Sequence, residues 1–166
     1  MLSFAGEPSR PGGMRLAAEI IVARSPHIFC AHGIDEGDAL VLATRFDCGY
    51  AYRARQALFW DRAVFGVRSV FDRQRGLLQV FGAVSGTELA LVAAQFSSER
   101  LAYVRELRAA RTALRKTEGA ALLFVNGLTT RRRIGFADLD FASVANESGA
   151  SIAARGARVE GAIVKV

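Results

Sequence analysis

The sequence of 166 residues predicts a layered α/β (α+β) domain. Three observations lead there. Apolar residues recur at helical spacing in three segments. Between them lie short apolar runs rich in branched and aromatic side chains, the mark of buried strands. In the middle of the chain, tight turns containing glycine separate consecutive runs, which makes an antiparallel meander.

"LSFAG" is a short apolar start of strand character. "EPSRPGG" breaks it with two prolines and two glycines and reads as a loop. "MRLAAEIIVARS" places Leu16, Ile20 and Ala23 on one helical stripe, and Pro26 ends the helix before Ser25. "HIFCA" reads as a buried strand and "HGIDEGD" as a turn. "ALVLATRF" then sets Ala39, Leu42, Ala43 and Phe46 on one helix face, with Asp35 or Asp38 as its cap. "GYAYRARQALFWD" and "AVFGVRSVF" each read as a strand, with Phe59, Trp60 and Phe65 as core aromatics.

"DRQRG" and "SGTE" are the turns around "LLQVFGAV" and "LALVAAQF". "SSERLAYVRELRAARTALRK" is the clearest helix, serine-capped. Leu101, Val104, Leu107, Ala110 and Leu114 form its apolar stripe, with Arg105, Arg108, Arg111 and Arg115 on the wet side. "AALLFV" is a buried strand that runs into "NGLTTRRRIGFADL", and "SIAARGARVEGAIVKV" supplies one or two final strands.

Hydrophobic residues make up 51% of the chain and charged residues 23%, as in ordinary folded proteins. The length suits one domain, 1–166, with a sizeable core. No apolar run is long enough to span a bilayer, and the start lacks a signal-peptide pattern, so the expectation is a cytoplasmic protein with no membrane partner. Cys30 and Cys48 lack metal-motif spacing and suggest a reducing compartment. The +6 charge comes from arginine, lysine occurring only at Lys116 and Lys165. Guanidinium groups form bidentate contacts with phosphates, so nucleic acid or another phosphate-bearing ligand is the partner class to consider.

No P-loop, nucleophile elbow or dinucleotide fingerprint is present. Asp35, Glu36, Asp38 and His32 are the densest set of potential cation ligands, but their spacing fits no known loop. Acids there also serve simply as a helix cap and its solvated first turn.

The order of elements and several local phrases resemble the endonuclease/exonuclease/phosphatase superfamily, divalent-metal-dependent phosphoester hydrolases built as two mostly antiparallel sheets packed in a sandwich with flanking helices. The family's first strand ends "SFNG", and here stands "SFAG". Its "CLQEVD" corresponds to "CAHGID", its "VNTHLDSE" to "VAAQFSSE" and its "LAGDFNT" to "FVNGLTT". Its closing "SDHLPVVVEV" corresponds to "ARVEGAIVKV". The resemblance covers nearly the whole chain and implies a shortened version of that sandwich.

The resemblance also implies a cleft at Ala5, His32, Gly33, Gln95, Asn126, Gly127, Thr129, Arg158 and Val159. The family's metal-binding Glu falls on Gly33, its His on Gln95, the Asp and Asn of "GDFN" on Gly127 and Thr129, and its last Asp–His pair on Arg158 and Val159. Glycine, alanine and valine side chains neither bind metal nor move protons. The expectation is therefore a degenerate member with no catalytic or metal residues and no cofactor. Arg131, Arg132 and Arg133, beside the "GDFN"-equivalent turn, are the expected anion-binding residues. The alternative is an active Mg²⁺- or Mn²⁺-dependent phosphodiesterase or phosphatase with its site relocated to Asp35, Glu36, Asp38 and His32.

Overall fold

The computed structural model describes residues 1–5, 8–71, 77–127, 139–147 and 149–165. In chain order they form β1 (Leu2–Ala5), α1 (Gly13–Arg24), β2 (Ile28–His32), α2 (Glu36–Arg45), β3 (Gly49–Arg53), β4 (Gln56–Trp60) and β5 (Gly66–Phe71). There follow β6 (Leu77–Val84), β7 (Thr87–Gln95), α3 (Arg100–Lys116), β8 (Ala120–Asn126), β9 (Ala142–Glu147), β10 (Ala150–Arg155) and β11 (Ala162–Lys165).

The strands make two sheets, ordered β11-β1-β2-β4-β3 and β5-β6-β7-β8-β10-β9. The β11–β1, β1–β2 and β7–β8 pairs are parallel, and the other six pairs are antiparallel. The period-2 alternation of the strands sorts their apolar side chains into three clusters. Leu2, Phe4, Phe29, Ala31 and Phe59 pack under α1 and α2 on one outer face. Val92, Ala94, Leu123 and Val125 pack under α3 on the other. Cys30, Leu58, Trp60, Leu91, Ala93, Leu122 and Phe124 fill the space between the sheets. The result is a sandwich of two mixed sheets with helices on both outer faces, as expected.

Several local expectations are corrected. "GYAYRARQALFW" is a hairpin, β3–β4, turning at Ala54 and Arg55 with φ of 47° and 63°. Neither residue favours that left-handed backbone, so no turn signal marks it in the sequence. On α1 the buried face is Ala17, Ala18 and Ile21, while Leu16 and Ala23 are exposed. On α3, Leu107, Ala110 and Leu114 are buried as expected, but Leu101 is 69% and Val104 38% exposed, and Tyr103 and Ala113 are buried in their place. Both stripes obey helical spacing; the edge-on packing of Tyr103 on Phe96, with ring centroids 5.5 Å apart, accompanies the observed choice. The cap expectations also change. Asp35 and Glu99 occupy the N-cap positions of α2 and α3 without side-chain cap bonds, and Ser97 Oγ accepts from the Glu99 N–H instead. Strand β9, whose residues are all exposed or half-buried, carries no apolar run that would mark it in the sequence.

Among the described residues no helix is long and apolar enough to cross a membrane.

Candidate functional site

Strands β1, β2, β7 and β8 all run toward the same end of the sandwich. Met1, Ile28, Thr87 and Ala120, at or next to their starts, line one cavity at the lower end, so their last residues lie together at the upper end. Ala5, His32, Gln95 and Asn126 are those last residues.

Alternation fixes where the side chains of the upper end point. Ile28 and Cys30 belong to the inter-sheet core, so His32, two further on, also faces between the sheets. Its register partner is Gln56, on the face of Leu58 and Trp60. On the facing sheet Gln95 and Asn126 are register partners, on the face of Leu91, Ala93, Leu122 and Phe124. An apolar core is thus capped at its upper end by a layer of neutral polar groups.

His32 and Gln56 are completely buried. Burial lowers the His32 pKa from 6.5 to about 4, so the imidazole is neutral near pH 7. Its Nε2 lies 3.4 Å from Cys30 Sγ, a thiol whose pKa burial raises. His32 Nδ1, both amide atoms of Gln56 and Gln95 Oε1 have no hydrogen-bond partner among the described residues. Ser3 Oγ, on the register partner of Cys30, is in the same condition. Buried polar atoms without partners are rare, and each costs about 1–3 kcal/mol.

Two of the residues expected at the cleft, Gly33 and Gly127, are left-handed glycines. Gly33 has φ 73° and donates its N–H to Arg55 O at 2.7 Å. Gly127 has φ 89°, and a Cβ there would stand 2.2 Å from the Phe96 carbonyl oxygen. Phe96 in turn donates its N–H to Asn126 O at 2.9 Å. A Glu at 33 would need strained backbone, and an Asp at 127 would also need Phe96 to move.

Arg55 holds the loop after β2 in place. Its carbonyl accepts from Gly33 and Ile34, its guanidinium donates to Gly33 O at 3.3 Å, and its Nε lies 3.4 Å from Asp35 Oδ1. Asp35, Glu36 and the half-buried Asp38 therefore stand at the outer start of α2, while His32 points inward. The structure does not bring these four together. Arg158 and Val159 lie at the lower end, lining the cavity with Met1 and Ile28. The reason is that β11 runs parallel to β1, so residues preceding β11 sit where β1 begins. Thr129, Arg131, Arg132 and Arg133 lie outside the described residues.

Mg²⁺ and Mn²⁺ favour hard oxygen donors, carboxylates above all. The upper end presents a neutral imidazole and side-chain amides, and no group of three His, Cys, Asp or Glu able to hold a metal occurs among the described residues. This donor set does not fit the family's metal. Sequence reading missed Gln56 and Arg55. A signal for Gln56 was there: a glutamine opening the apolar run "QALFW", in the inward parity of Leu58 and Trp60.

The fold is similar to that of solved structures far from it in sequence. The D. rerio TDP2 structure complexed with single strand DNA product is similar with a TM-score of 0.75 at 10% identity, over 95% of this chain and 84% of that one. The human Nocturnin catalytic domain with bound sulfate anion gives 0.65 at 12%, over 84% and 73%. An endonuclease/exonuclease/phosphatase family protein from Bacteroides thetaiotaomicron gives 0.72 at 8%, over 93% and 82%. No family model and no characterised protein matches the chain by sequence.

Proposed function

We propose that residues 1–166 are one non-hydrolytic domain of this fold, which binds a phosphate-bearing ligand, single-stranded nucleic acid being the leading class, without cleaving it. The observation that carries this reading is the pair of left-handed glycines, Gly33 and Gly127, at the positions where phosphoester hydrolases of this fold hold acidic groups. Cleaving a phosphodiester needs an activated water and neutralised charge, which divalent ions supply when carboxylates hold them. The layer of His32, Gln56, Gln95 and Asn126 carries no carboxylate to hold such ions.

Binding is supported by the +6 charge and by the DNA product present in the D. rerio TDP2 structure. Arg55 at the upper end is half-exposed, and Arg131–Arg133 are the further cationic residues of the proposal. The purified protein incubated with labelled single-stranded DNA and Mg²⁺ or Mn²⁺ is expected to leave the strand intact. In fluorescence anisotropy it is expected to bind that strand with an affinity that falls steeply as salt rises. Metal-dependent cleavage would overturn the non-hydrolytic half. Affinity indifferent to salt, or to alanine at Arg131, Arg132 and Arg133, would overturn the binding half.

A further inference from the structure

The lower end of the sandwich holds a feature that phosphate recognition does not use. Between the starts of β1, β2, β7 and β8 the inter-sheet core opens into a cavity of about 550 Å³. That volume lies within the range of small-molecule sites, roughly 300–1,000 Å³. Its wall is apolar: Ile28 and Leu122 are buried, and Met1, Val84, Leu89 and Val159 are core side chains left half-covered. The cavity is bordered by residues 156–160 of the link from β10 to β11, among them Arg158, Val159 and Glu160.

Among the described residues of the rim, one charge is uncompensated. His27 Nδ1 lies 3.5 Å from Asp61 Oδ2. Glu160 attracts the Met1 ammonium, which also donates to Glu160 O. The Arg158 guanidinium is exposed and has no ion-pair or hydrogen-bond partner among the described residues. An apolar hollow beside a free guanidinium matches a molecule with an apolar tail and a carboxylate head. The tail would cover Leu89, Val84 and Val159, and the head would meet Arg158 through charge-assisted hydrogen bonds.

We infer that this cavity is a binding site for an amphipathic carboxylate, at the opposite end of the fold from the phosphate-binding end proposed above and independent of it. The protein carries its own reporter. Trp60, its single tryptophan, is the register partner of Ile28 in the cavity wall and packs edge-on against Phe65, with centroids 6.0 Å apart.

Titration of the full chain with decanoate, followed by Trp60 emission and by calorimetry, tests the site. Saturable binding at one site per chain is expected. Arg158→Ala should weaken decanoate about tenfold, the worth of one charge-assisted contact, and leave decanol unchanged. Val159→Phe, which puts a ring into the mouth, should abolish binding of both. No saturable response with the wild-type chain overturns the site. Equal effects of Arg158→Ala on decanoate and decanol overturn the role of the carboxylate, and full binding by Val159→Phe overturns the location. Arg158 is exposed, so its removal does not put folding at risk.

Discussion

The two ends of the sandwich differ in charge and in packing. Between the sheets the upper end is neutral: His32 and Gln56 are fully buried, and several polar atoms there have no partner among the described residues. The lower end is open and apolar inside, with a charged rim and a cavity of about 550 Å³. A position in a fold therefore does not confer a role; the side chains and backbone at that position do. The lower end has left part of its core uncovered.

The contrast can be broken by mutation, beginning where the effect is largest. Gly127→Asp should destabilise by about 3 kcal/mol or more, because it combines left-handed strain with a Cβ that would overlap Phe96 O. Urea denaturation should show the midpoint falling with an unchanged slope. A variant as stable as the wild type would mean that the upper end can accept the family's acid after all.

The next effect is set by pH. His32 has a folded pKa of about 4, below its ordinary 6.5, because burial disfavours the charged imidazole. Above pH 6.5 both folded and unfolded forms are neutral, and stability is at its full value. As pH falls from 6.5 to 4 the unfolded chain takes up a proton that the native chain refuses. About 3 kcal/mol is lost across that window, some 1.4 for each pH unit. His32→Leu should flatten this part of the stability profile measured by urea melts at successive pH values. An unchanged profile would show that His32 is not the titrating group.

The smallest effect belongs to the lower end. Arg158→Ala removes an exposed side chain without a partner among the described residues, and should shift stability by less than about 0.5 kcal/mol in the same melts. A larger loss would mean that Arg158 supports the fold and would blur the difference between the ends.

The sequence by itself determined the elements and their order. Apolar stripes and strand-length runs located the three helices and nearly every strand, because periodicity is a local property of the chain. It also made the glycines at 33 and 127 conspicuous against the family's pattern. It could not choose between two stripes of equal period on α3, nor see the β3–β4 turn at Ala54 and Arg55. Only the tertiary structure decided which residues meet. Inward parity on two facing sheets gathered His32, Gln56, Gln95 and Asn126 from four strands. The parallel pairing of β11 with β1 carried Arg158 and Val159 to the opposite end. Strand direction and register are settled between segments distant in sequence, by the burial of a shared face, and no local pattern records them.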